Sequence, residues 1–254
     1  MHLKSLQVNQ FKSYEEARFS FISEINCIVG ENGIGKTNLL DAIHFLSMTK
    51  SARGISDQLC VKHTQDFFRV QGDFVDTQDR ETQITCVFQK GAKKQFLRDD
   101  KPYLRLADHI GHFPVVLMDP HDTDLVREGS EERRRFFDGM MSQLDRNFLD
   151  QLLRYNRIVQ QRNVLLKQFA ERGQVDRLHL DSYHAPLVEL GEALAKARKE
   201  FLEVFLPSFK FHYSKLSDDR EEVDIQLDST FEAGGFDAAL RAAEPLDLSA
   251  QRTS

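Results

Sequence analysis

Gly30-Glu31-Asn32-Gly33-Ile34-Gly35-Lys36-Thr37 matches the phosphate-loop pattern G-x-x-x-x-G-K-[S/T] at every fixed position. Before it, Ile25-Asn26-Cys27-Ile28-Val29 is a short apolar run that reads as a buried strand. After it, Asn38 to Leu46 carries apolar residues at 39, 40, 43 and 46, the spacing of a helix. Strand, glycine loop and helix is the order that phosphate chemistry requires. Glycines let backbone N–H groups converge on phosphate oxygens, and the helix N-terminus adds partial positive charge. The cradle comprises Gly30, Glu31, Asn32, Gly33, Ile34, Gly35, Lys36, Thr37 and Asn38. Lys36 is placed for the β- and γ-phosphates, and the Thr37 hydroxyl for Mg²⁺. The expected ligand is a nucleoside triphosphate.

The chain has 254 residues, 41% hydrophobic and 29% charged, enough for one large domain or two smaller ones. A net charge of −6 gives no global attraction to nucleic acid, so such binding would rest on local patches. Cys27, Cys60 and Cys86 are odd in number, widely spaced and set in or beside apolar runs, as expected of free thiols in a reducing cytoplasm. Neither a signal peptide nor a membrane-length apolar run is present, so no membrane association is expected.

Further strands are expected at Leu3 to Val8 and Ala17 to Ile22, then at 67–75, 82–88 and 95–98 as antiparallel hairpins with turns at Lys90-Gly91 and Asp99-Asp100. Val115-Val116-Leu117-Met118 reads as a buried central strand. From Ser130 to about Phe169 the pattern is helical. A second helix carries Leu187, Leu190, Leu194, Ala197, Phe201 and Phe205 and is expected to stop at Pro207. Strands at 209–213 and 223–227 and a short helix at 236–243 follow. This gives a nucleotide-binding lobe over 1–126, a helical hairpin over 127–206 and a return to the first lobe over 207–254.

A phosphate loop needs a partner aspartate for Mg²⁺, usually at the end of an apolar strand. Asp119, after Val115 to Met118, fits that position and makes a self-contained P-loop kinase one reading. Against it, Pro120 follows at once. His109, His112 and His121 lie near Asp108 and Asp119, and Cys60 near His63, but neither group has the spacing of a structural metal site.

Asn9-Gln10-Phe11-Lys12-Ser13-Tyr14-Glu15, together with Ile25 to Ile43, resembles the ATPase heads of the SMC and RecF superfamily. Lys50-Ser51-Ala52-Arg53, Leu106 to Leu117, Pro120 to Val126 with Glu132 to Asp138, and Gln143 to Lys167 narrow the resemblance to the RecF family of recombination mediators. It implies an α/β fold: an ABC-type P-loop ATPase head lobe with mixed and antiparallel sheet and an inserted helical hairpin. It implies ATP and Mg²⁺ as ligands, with Lys12 and Ser13 near the base or sugar side and Arg53 as an electrostatic helper at the phosphates. The family's metal-binding aspartate, catalytic acid and signature loop are expected beyond Ser254, so no catalytic residue is assigned and this stretch alone is expected to be inactive. The implied whole is a slow cytoplasmic ATPase that dimerises on ATP, binds duplex DNA and single-strand/duplex junctions at gaps, works with RecR and RecO, and promotes RecA loading. Whether Asp119, His121 or Asp122 faces the γ-phosphate stays open, as does a purely structural SMC-like head.

For DNA, the densest basic stretch of the β-rich lobe contains Lys90, Lys93, Lys94 and Arg98, where phosphate contacts are expected. Arg133-Arg134-Arg135, Arg154, Arg157, Arg162 and Lys167 form a second candidate on the helical arm, interspersed with acids.

Overall fold

The computed structural model describes residues 1–127, 129–227 and 235–253. The chain divides into two compact units, Met1–Leu144 and Asp145–Ser254. The boundary therefore follows Leu144, not residue 126.

In the first unit, strands β1 (His2–Asn9), β2 (Glu16–Ser20), β3 (Phe67–Val75), β4 (Glu81–Gln89), β5 (Gln95–Arg98) and β6 (Lys101–Pro102) form one sheet in the order β2-β1-β3-β4-β5-β6. Every pairing is antiparallel, as the hairpin reading predicts. Alternation puts Leu6 and Val8 of β1, Phe68 and Val70 of β3, and Ile84 and Cys86 of β4 in the core. Helix α1 (Lys36–Met48) covers them with Leu39, Ala42, Phe45 and Leu46. Gly72 marks the crossing: a Cβ there would stand 2.6 Å from Leu46 Cδ1, so the helix lies close to the sheet only because β3 has no side chain at that point.

Phenylalanine is abundant at 20 copies and tryptophan is absent, and the core shows one use for that composition. Phe11, Phe45 and Phe68 meet edge to face with centroids 5.3–5.9 Å apart, and Phe96 stacks on Phe45 at 6.4 Å. Such pairs add to the burial of their area. The short helix α2 (Asp57–Cys60) and the helices α3 (Asp124–Arg127) and α4 (Ser130–Leu144) complete the unit.

The second unit is helical. Helix α5 (Arg146–Arg172) and α7 (His184–Ser217) pack together, joined through α6 (Arg177–Asp181). Leu165, Leu166 and Phe169 meet Leu180 and Tyr183, while Tyr155, Ile158 and Val159 meet Leu187, so the two long helices run antiparallel as a hairpin. Helix α8 (Gly235–Ala250) adds Phe236 and Leu240 to the second of these clusters.

Several expectations are corrected. The helix from Ser130 is cut at Asp145, whose carboxylate accepts the N–H groups of Asn147 (2.7 Å) and Phe148 (3.3 Å) as an N-cap and starts α5 afresh. Pro207 does not stop α7, and residues 209–213 are helical. Phe201, Phe205, Phe209 and Tyr213 meet ring to ring at four-residue steps, 5.6, 5.8 and 6.1 Å apart, on both sides of the proline. Residues 223–227 form no strand, and the C-terminal helix is longer than 236–243. Residues 25–29 and 115–118 are not strands either. Ile25 and Val29 are 84% and 88% exposed, and Val116 and Met118 86% and 85%. A strand exists only by pairing, and among the described residues none pairs with these two runs.

His109 is fully buried among Phe96, Tyr103 and Phe113, with Nε2 2.5 Å from the Leu46 carbonyl of α1. The Nε2 proton of His109 is thus spent on the helix. Burial pushes its pKa down to about 4 from 6.5. The unfolded chain therefore binds this proton more readily. Stability is complete above pH 6.5 and is lost as pH falls toward 4, by about 3 kcal/mol for this group. Urea unfolding of His109→Phe from pH 7 to 4.5 should show a flatter pH dependence than the wild type; an equal slope would show that other groups carry it.

Candidate nucleotide-binding site

The residues from Asn32 to Asn38 wrap a shallow concavity of about 260 Å³, lined by Asn32, Gly33, Gly35, Lys36, Thr37 and Asn38. Gly35 precedes α1 with φ +112°, and a Cβ there would stand 2.8 Å from Ser13 Oγ and 3.1 Å from the Tyr14 ring. The loop thus needs glycine at this point for both backbone and space. No side chain caps the start of α1, and no acidic residue occupies its first turn. Its leading N–H groups and the positive end of its dipole are left for an anion. Lys36 Nζ donates to the carbonyls of Gly30 (2.7 Å) and Glu31 (2.8 Å), which lays the ammonium over the loop. Together these features leave the loop chemically able to take a phosphate.

The turn 12–14 buttresses the cradle from the sheet side. Tyr14 Oη donates to the Gly35 carbonyl at 3.0 Å, and Asn38 Nδ2 donates to Ser13 Oγ at 2.9 Å. Burial raises the Tyr14 pKa, which keeps the hydroxyl a donor. Lys12 departs from its expected role near base or sugar. Its ammonium is largely buried and ion-paired with Asp41 at 2.5 Å.

Arg53 keeps a half-exposed guanidinium 3.4 Å from Asp119. Asp119 also accepts from the backbone N–H of Asp122, and Asp122 Oδ2 accepts from that of Asp119 at 2.7 Å. The Asp119 carboxylate therefore faces a cation of the chain itself. For His121 only the backbone is described.

The basic hairpin separates on inspection. Lys93 is exposed, Lys90 reaches the Gln65 carbonyl (2.6 Å) and Asp66 (3.5 Å), and Arg98 lies 4.0 Å from Asp99. Lys94 is instead a structural cation. It is largely buried over the Phe45 ring, 2.8 Å from Asp57, and donates to the Thr49 carbonyl at the C-terminus of α1 (2.6 Å). A charge at a helix C-terminus complements the dipole. On α4, in the first unit, Arg135 pairs with Glu131 and Glu132, Arg134 reaches Ser130, and Arg133 the Leu125 carbonyl. Arg162 is buried against Asp247 at 2.6 Å, tying α5 to α8. Charge type in the sequence did not separate these buried arginines and lysines from the surface ones. A signal existed for Lys94 only in its proximity to apolar Phe96.

Comparison with known proteins places this geometry. A family model described as an AAA domain matches residues 5–234. The DNA replication and repair protein RecF of Cytophaga hutchinsonii is 42% identical over 254 residues, covering all of this chain and 67% of that protein. The protein of the same name from Phocaeicola vulgatus is 40% identical over 236 residues, covering 93% of this chain and 63% of that one. The chain thus spans about two thirds of the length of the curated relatives it matches. Among solved structures, the recombination mediator protein RecF-ATPrS of the RecFOR pathway superposes with a TM-score of 0.89 at 28% identity, over all of this chain and 70% of that one. Its RecF-ATP counterpart gives 0.87 at 28% identity, over 99% of this chain and 69% of that one. The fold is that of an ABC-type P-loop ATPase head, built here on an open antiparallel sheet.

Gly35→Ala should lower stability to urea by about 1–3 kcal/mol, because it combines a strained φ with the clash at Ser13. Gly91→Ala, at φ +79° with no atom within 4 Å of the new Cβ, should cost less. Equal losses would show that the Ser13–Tyr14 buttress does not constrain the loop.

Proposed function

This chain belongs to the RecF family of DNA replication and repair proteins, and from that premise we propose that it carries the ATP-binding part of a DNA-repair clamp. The observation that carries the reading is the uncapped start of α1 behind a complete phosphate loop, with Lys36 laid over it. ATP binds with its phosphates on Gly30 to Asn38, and Mg²⁺ sits on the Thr37 hydroxyl. The adenine and sugar lie on the Ser13 side, with Lys12 acting through Asp41. Arg53 exchanges Asp119 for phosphate charge when nucleotide is present.

In the family's full-length protein, two heads close on ATP, and slow hydrolysis reopens them. The clamp acts in the cytoplasm at gapped DNA, contacts RecR and RecO, and supports RecA loading. DNA phosphates meet Lys90, Lys93 and Arg98 on the hairpin between β4 and β5, while Lys94 holds that hairpin to α1. The nucleotide lobe lies within Met1–Leu144, and the helical hairpin of α5 and α7 within Asp145–Ser254. The kinase reading has against it both the family and the Arg53 pairing that occupies the Asp119 carboxylate.

Equilibrium dialysis with ATP and Mg²⁺ tests the core of the reading. Lys36→Ala should weaken retention at least tenfold, a loss of about 1.4 kcal/mol or more; unchanged retention would refute it. For DNA, replacing Lys90 and Lys93 together by glutamine should lower the slope of log affinity against log salt by about two. An unaltered slope would remove the hairpin from the interface.

A further inference from the structure

Asp41 lies on α1, is 3% exposed, and receives hydrogen bonds from two separate segments of the chain. Lys12 Nζ stands 2.5 Å from its Oδ2. Ser51 Oγ donates at 2.9 Å to Oδ2, with Oδ1 at 3.1 Å, and the Ala52 N–H donates to Oδ1 at 2.7 Å. Ser51 Oγ in turn accepts the Arg53 N–H at 3.3 Å. One carboxylate on the phosphate-loop helix therefore holds the turn that contacts Gly35 and Asn38, and also the segment that presents Arg53.

We infer that Asp41 is a positioning residue of the nucleotide site, which sets the backbone of Arg53 and the Lys12–Tyr14 turn relative to the phosphate loop. The inference rests on the ATP-binding reading above. Beyond the Lys12 pair, the remaining lone pairs of the buried carboxylate are satisfied by Ser51 and Ala52. The additional two-point grip on Ser51 and Ala52 serves the segment 51–53, whose terminal guanidinium stays half exposed. A buried carboxylate suits this role: it accepts up to four hydrogen bonds, and its pair with Lys12 is shielded from solvent, so the grip does not loosen with salt.

The test is a double-mutant cycle on the whole chain, reading Mg²⁺-ATP affinity by equilibrium dialysis and folding by thermal melting. Asp41→Asn and Arg53→Ala are each expected to weaken ATP about tenfold, and the double variant no further than the weaker single. Losses that multiply overturn the inference, because Asp41 would then act on the helix alone. Ser51→Ala cuts the bridge to Arg53 while leaving the Lys12 pair intact, and its cycle with Arg53→Ala decides the matter if Asp41→Asn does not fold. Full ATP affinity in Ser51→Ala overturns the inference. If the wild type shows no Lys36-dependent retention, the ATP reading itself falls and this inference with it; Lys36-dependent retention with multiplying losses removes the positioning role alone.

Discussion

A helix that serves a phosphate must leave its first turn unspent and yet be immobile. Helix α1 meets both demands. Its N-terminus carries neither a side-chain cap nor an acidic first turn. Its body is held by Phe45 in the aromatic core, by Asp41 in a buried polar knot, and at its end by Lys94 on the Thr49 carbonyl and His109 beneath the Leu46 carbonyl. Polar groups buried this deeply are costly unless paired, and here the pairs lie along the one element whose position the site depends on.

The same constraint organises the sheet. Gly72 lets α1 approach β3, and the hairpin between β4 and β5 reaches back through Lys94 to the helix end. A basic hairpin thus has two populations of cation. Lys93 faces solvent, while Lys94 is part of the packing. Charge in a sequence does not distinguish them, because a lysine stem crosses apolar surface as readily as it extends into water.

Much of the fold is legible from local pattern. The phosphate loop, the alternating strands of the antiparallel sheet and the three- and four-residue steps of the helical hairpin each follow from a period that a window of residues contains. The misreadings have non-local causes. Residues 25–29 and 115–118 have the composition of buried strands, but strand formation requires a neighbour that composition does not supply. Pro207 breaks a helix in isolation, yet α7 runs through it, with the rings of Phe201, Phe205, Phe209 and Tyr213 in contact on both sides. Asp145 caps a new helix inside what reads as one run. In the candidate site, the loop is visible in the sequence and Arg53 enters only through the family resemblance, whereas Asp41 gives no signal, since Lys12, Ser51 and Ala52 converge on it only in the fold.

The central claim is that the backbone at the start of α1 receives nucleotide phosphate. Amide chemical shifts during titration with Mg²⁺-ATP measure this directly. The account predicts large, saturable changes at the N–H groups of Gly33, Gly35, Lys36, Thr37 and Asn38, with smaller ones at Ser13 and Tyr14. Saturable changes elsewhere that leave these amides unmoved would contradict it.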